Sequence, residues 1–278
     1  AQAVFTSLPP SLHAVTGRQS FVTPTRAFHS ARMDIDGQSI ALQPLYANAL
    51  SPEATPAEGL SGKIVFAGRG RLEDLSGREI TGSIVLMDLD SGGNWQNAAG
   101  LGARAVVYLD SGDTTTPRLR FRDKEELTPI DFPRFWLPKS TVTDIYGDVG
   151  ALEGRQAHLL SRSHWKKTTA ENLYCFIPGT HPQLADEVVV VEAFLDASRY
   201  VPGHAPGADE ASSLATLLTV AKGYEQEPPK RSVLLLATSG HANNLAGLRE
   251  AVWALTSKKK ELSEELRHLQ ERAERVKI

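Results

Sequence analysis

Glu187-Val188-Val189-Val190-Val191-Glu192-Ala193-Phe194 and, after an intervening loop and helix, Ser232-Val233-Leu234-Leu235-Leu236-Ala237 decide the fold class. Each run is almost continuously apolar and bounded by charged or polar residues, the pattern of a strand buried on both faces. Pro202, Gly203, Pro206 and Gly207 break the chain into a loop across 201–209. From Ala211 to Gly223 apolar residues fall at 214, 217, 218 and 221, one face of a helix. Strand, helix, strand in this order predicts a parallel sheet with helical crossovers, an α/β layer architecture.

Working upstream, a smaller α/β unit of β-rich character is expected. Lys63-Ile64-Val65-Phe66-Ala67-Gly68, Ser83-Ile84-Val85-Leu86-Met87-Asp88 and Ala103 to Leu109 read as strands. Asn94 to Gly102 reads as a short helix with glycines at its C-terminal end. Residues 1–33 lack strong periodicity and are expected to form an extended lead-in with one short helix. Downstream, Leu245, Leu248, Val252, Leu255, Leu262, Leu266, Leu269, Ala273 and Val276 recur at 3–4 spacing, broken by Lys259. That stripe predicts one long amphipathic helix, or two with a break near Thr256-Ser257. It either packs on its own domain or forms an oligomerising seam. The expected organisation is a lead-in over 1–33, a first domain over 34–165 and a second over 166–278.

The 278 residues carry 33 acids against 30 Lys and Arg, a formal net charge of −3, and 41% are hydrophobic. That near-neutral balance argues against a nucleic-acid binder, which concentrates positive charge. No apolar run reaches the roughly 18 residues that span a bilayer. Cys175 is the single cysteine and lies in Leu173-Tyr174-Cys175-Phe176-Ile177. One cysteine excludes an internal disulfide framework and a Cys-rich zinc site, and this setting reads as a buried strand thiol. The start, Ala1-Gln2-Ala3, suits the mature side of a signal-peptide cut, so a secreted, cell-surface or periplasmic location is expected.

Several patterns carry little chemistry. Gly68-Arg69-Gly70 follows a strand but lacks the further glycine of a dinucleotide fingerprint and any Gly-Lys-Ser/Thr. Arg118, Arg120 and Arg122 alternate with Leu119 and Phe121 and read as solvated charge on an exposed edge. There is no Gly-x-Ser-x-Gly elbow.

Residues 185–249 carry more: Phe194-Leu195-Asp196 at a strand end, Pro206-Gly207-Ala208-Asp209-Glu210-Ala211-Ser212 opening a helix, then Gly240-His241-Ala242 with Gly247 beyond. With Asn172-Leu173 to Ile177-Pro178-Gly179 as an entry strand, this order resembles the M28 family of zinc exopeptidases, aminopeptidase and glutamate-carboxypeptidase-like. The earlier unit, through Gly62-Lys63-Ile64-Val65, Gly82 to Leu86 and Ala98 to Ala103, is similar to a protease-associated (PA) domain. The resemblance implies a PA-like domain followed by a partial, three-layer M28-like α/β domain with a long C-terminal helix.

The resemblance also implies a site of two zinc ions on five ligands, one carboxylate bridging them, and a glutamate as base for the attacking water. Its His-x-Asp position is here Phe194-Leu195-Asp196, so the ligand is replaced by a ring without a lone pair while its orienting partner Asp196 stays. Asp209 matches the bridging aspartate, in a loop one residue shorter than the family pattern. The Glu-Glu positions fall on His241 and Ala242, removing the base and another ligand. The region expected to hold the next strand is a Lys/Glu-rich helix. His204, Asp209 and His241 could form a different zinc set at strand ends. More simply, His204 is a loop residue, His241 starts a helix, and Asp196 and Ser239 are cap or turn residues.

Three functions stay open. The first is a secreted or cell-surface M28-like protein, catalytically inactive and without a cofactor, that binds a protein or peptide partner or assembles. The second is a zinc-dependent exopeptidase of which this chain is a fragment. The third is a structural oligomer or filament subunit that self-associates through Leu245, Leu248, Val252, Leu255, Leu262, Leu266 and Leu269. None of the three calls for a nucleic-acid partner or a membrane span.

Overall fold

A computed structural model describes residues 1–46, 53–112, 124, 130–197, 200–204 and 207–276, without the side chains of 209, 265, 272, 273 and 276. Arg118, Arg120 and Arg122 lie outside the described residues. In chain order the elements are α1 (Gln2–Thr6), β1 (Val15–Ile35), β2 (Gln38–Ala41), β3 (Gln43–Pro44), β4 (Leu60–Phe66), α2 (Leu72–Leu75), β5 (Ile84–Asp88) and α3 (Trp95–Gly100). There follow β6 (Ala105–Asp110), β7 (Arg134–Pro138), α4 (Lys139–Tyr146), β8 (Gln156–Ile177), β9 (Val188–Phe194), α5 (Ala208–Gly223), β10 (Ser232–Thr238), α6 (Ala246–Thr256) and α7 (Lys259–Val276). The chain divides into two compact units. One holds 1–23, 168–197 and 207–278; the other holds 24–167 and 198–206. Sequence reading placed its divisions at 33/34 and 165/166.

In the unit built on 24–167, β4, β5, β6 and β7 pair in parallel, one after another. Antiparallel strands close both sides of that set: β3 on β7, and β8 on β4. The hairpin of β1 and β2 turns on Asp36-Gly37, both at positive φ. A two-residue Asp-Gly turn is favoured there because its twist matches that of the strands it joins. Alternate residues of β5 enter two separate clusters. Ile84 and Leu86 join one; Val85 and Met87 join the other, around Trp95 and Tyr108. All four are fully buried, so each side chain contributes roughly 1.5–3 kcal/mol of hydrophobic stabilisation.

In the other unit, β9 and β10 run parallel in register from Val188–Ser232 to Phe194–Thr238, with α5 as the crossover. β10 also pairs antiparallel with β8, Val233 against Ile177 through Ala237 against Leu173. Val233, Leu235 and Ala237 pack with Cys175, Ile177, Leu217 and Ala221, while Phe5, Leu8 and Leu12 cover the same cluster. Leu234 and Leu236 point to the opposite face, toward Ala251 and Ala254 of α6. This unit is therefore three-layered: α1 and α5, the sheet, then α6. Cys175 is fully buried, and burial pushes its thiol up to about 11.

The structure qualifies three expectations. Residues 1–33, expected as an extended lead-in with one short helix, form α1, a 3-10 turn and most of the 21-residue β1. The valine run of β9 is not fully buried: Val188, Val189 and Val190 are 52%, 43% and 48% exposed. Among the described residues β9 pairs only with β10, so one edge of this apolar strand is uncovered. The C-terminal stripe divides at Ser257-Lys258, the second of the two arrangements expected, and every described side chain of its α7 part is exposed.

Candidate functional site

The C-terminal ends of β9 and β10 lie side by side, where α/β sheets place ligands. The Leu195 amide donates to the Thr238 carbonyl at 2.7 Å, carrying the pairing one residue past β9. Beyond it Asp196 turns toward the loop after β10. One carboxylate oxygen accepts from the Gly240 amide at 2.6 Å and the other from the His241 amide at 3.1 Å. Asp196 thus holds the backbone of the loop with both oxygens.

His241, in that loop, lays its ring against Phe194, centroids 3.8 Å apart and planes tilted by 35°. Its Nδ1 is buried and meets no hydrogen-bond partner. Such an unsatisfied atom costs about 1–3 kcal/mol, against about 0.5–1.5 kcal/mol for an aromatic contact. Ala242 is exposed. The structure brings Phe194, Asp196 and His241 together. It places His204 in the other unit, exposed, its ring tilted by 47° against Trp136 with centroids 4.8 Å apart. The backbone of Asp209 lies in the first turn of α5, but its side chain is outside those described.

Asn172, read from sequence only as part of an entry strand, anchors the loop from beneath. It is fully buried on β8. Its amide nitrogen donates to the Gly247 carbonyl at 2.7 Å and to Gln19 Oε1 at 3.0 Å, while its oxygen accepts from the Ser239 amide at 3.0 Å. Ser239 Oγ donates to the Glu171 carbonyl. A Cβ on Gly247 would collide with Asn172 Oδ1 and the Ser239 carbonyl, so only glycine admits this approach. Asn244 and Leu245, which lead into α6, both hold positive φ at 55°. For a leucine that conformation costs roughly 1–2 kcal/mol.

Glu210 was also missed and is buried, 5% exposed. It stands four residues before Leu214 and seven before Leu217, so extending the helical face by one turn would have found it.

The residues present do not fit a dinuclear zinc centre of the M28 pattern. Phe194 and Ala242 offer no donor atom, and Asp196, the orienting partner in that pattern, holds the Gly240 and His241 amides instead of a histidine. Among the described residues no group of three or more His, Cys, Asp or Glu side chains is placed to hold a metal ion.

Comparison with known proteins places this geometry. The model of peptidase family M28 matches residues 172–261. A zinc aminopeptidase from Bacillus subtilis superimposes with a TM-score of 0.63 at 20% identity, over 94% of this chain and 59% of its own. An aminopeptidase from Aneurinibacillus gives 0.56 at 17% identity, over 94% and 60%. An M28 peptidase precursor from Shewanella amazonensis gives 0.55 at 20%, over 96% and 62%. At these identities the likeness is one of fold, and the chain spans about three fifths of the length of these solved structures. No curated protein matches the chain. No helix of the described residues is long and apolar enough to cross a membrane.

Proposed function

We propose that the M28 unit of this chain keeps the family's fold without its zinc hydrolysis, and that the protein works by binding or assembly. The observation that carries this is the ring pair of Phe194 and His241. It fills the strand-end position where the family resemblance puts a first metal ligand and the general base. The residues that shape the loop backbone, Asn172, Asp196 and Gly247, remain beside it. A fold used for its surface would retain such residues and have no need of donors. The parallel unit is read as PA-like, with a protein or peptide as ligand. A location outside the cytoplasm is part of the same reading, supported by the precursor among the neighbours.

Turnover tests this. The purified chain, incubated with zinc, should not hydrolyse a panel of aminoacyl p-nitroanilides above the rate without protein. Zinc-dependent release of p-nitroaniline, abolished by a chelator and restored by zinc, would overturn the proposal. It would establish instead the second reading, an exopeptidase of which this chain is a piece, which the solved zinc aminopeptidase supports.

A further inference from the structure

His29 on β1 and His164 on β8 meet across neighbouring strands, and both belong to the parallel unit. His29 Nε2 and His164 Nδ1 are 3.1 Å apart, with ring centroids 4.9 Å apart and planes 19° from parallel. Both residues are exposed. Beyond this contact neither imidazole has a hydrogen bond or ion pair among the described residues. A hydrogen bond between two exposed side chains gains little over their bonds to water, so it gives little reason for two histidines to meet here.

Their spacing has a second use. Two nitrogen donors bound to one ion at about 2.0–2.1 Å lie roughly 2.9–3.4 Å apart when the angle at the metal is between square and tetrahedral. The 3.1 Å between the two ring nitrogens falls inside that range.

The flanking residues leave room for an ion. Two positions either side of His29, on the same face of β1, stand Ala27 and Ala31. The corresponding residues on β8 are Arg162 and Lys166. Arg162 donates its guanidinium to the Pro56 and Ala57 carbonyls, at 3.4 and 2.8 Å. Lys166 is exposed, and its long stem keeps the ammonium in water.

Neutral imidazole is the commonest protein ligand for late first-row ions, whose affinities rise to a maximum at Cu2+. We infer that His29 and His164 form a surface site for a divalent late transition-metal ion, Cu2+ foremost, which ties β1 to β8. His29 Nε2 and His164 Nδ1 bind the ion, and the proton that one of them carries moves to the other nitrogen of the same ring. Water completes the coordination. Two protein donors fall short of a closed centre, so the ion exchanges with solution. The site uses no strand-end residue and is independent of the function proposed above.

Titration of the intact chain with Cu2+ at neutral pH, kept at equilibrium with free ion, tests this. Calorimetry should show saturable uptake, and electron paramagnetic resonance should show two nitrogen donors. His29→Ala and His164→Ala should each weaken binding roughly tenfold or more, since either removes a second donor that the strands hold in place. His268→Ala, an exposed position on α7, should leave it unchanged. Without metal the variants should melt with the intact chain, because the replaced side chains are exposed. With Cu2+ the melting temperature should rise more for the intact chain than for either pair variant. In the unaltered chain, Cu2+ should broaden the ring proton resonances of His29 and His164 before those of other histidines. Equal binding by the intact chain and both pair variants overturns the inference, leaving the pair a hydrogen bond and the ion elsewhere. So does an intact chain without saturable uptake, or broadening that spares this pair. Peptidase turnover with zinc would contradict catalytic silence and leave these readouts unaffected.

Discussion

β5 and β9 are built from nearly the same kind of sequence and end in opposite surroundings. Ile84-Val85-Leu86-Met87 is fully buried, with neighbours on both edges and an apolar cluster on each face. Val188-Val189-Val190 is about half exposed, paired on one edge. A continuous apolar run therefore specifies a strand, while its burial depends on the elements the rest of the chain supplies. The same division runs through the strand-end site. Residues that hold backbone are satisfied by near neighbours, whereas a metal centre needs donors from several strands at once.

The contrast can be broken most forcefully by truncation. Leu86→Ala should cost about 3 kcal/mol, within the usual range of 2–5 for a buried leucine, measured by denaturant unfolding. Val190→Ala should stay within about 0.5 kcal/mol. Equal losses would mean that β9 is covered in solution.

Buried charge sharpens it next. Glu53, in the parallel unit, is 4% exposed, and burial lifts its carboxyl from 4.5 to about 7 against the opposing Arg26 guanidinium 3.9 Å away. The unfolded chain then releases this proton first as pH rises. Stability is fully present below about pH 4.5 and is lost up to about pH 7, by about 3 kcal/mol. Glu53→Gln should flatten that slope in thermal unfolding followed across pH 4–8. An unchanged slope would remove Glu53 as its cause.

A smaller effect is expected at the strand ends. Asn172→Ala leaves the Ser239 amide and Gly247 carbonyl without their partner and should cost about 2 kcal/mol. Its hydrogen-exchange signature should be confined to the 239–247 loop and α6. A loss spread evenly over the unit would show that Asn172 serves the core rather than the loop.

Much of the fold was legible because it rests on local periodicity. β4, β5, β6, β9, β10, the helical face of α5 and the break after Thr256 all follow from runs of apolar residues and their punctuation. β1 was not legible: Pro24 interrupts it, and over 21 residues it buries few side chains, chiefly Phe21, Thr23, Ala31, Met33 and Ile35. Alternation is confined to its two ends, Phe21-Val22-Thr23 and Ala31 to Ile35, with no buried residue over 24–30 to join them. At the site, the family resemblance singled out Phe194, Asp196 and His241, which the structure brings together. Asn172 was invisible as an anchor because its partners lie 67 and 75 residues away. His204 and His241 fall in different units, a division that spacing along the chain does not reveal.

Zinc stoichiometry of the intact protein decides the central point. After equilibration with excess zinc and removal of the unbound metal, mass spectrometry under native conditions should find the chain's own mass, with no stoichiometric metal. Two zinc ions per chain, lost on Asp209→Ala, would show that the Phe194–His241 pair gives way to a working centre.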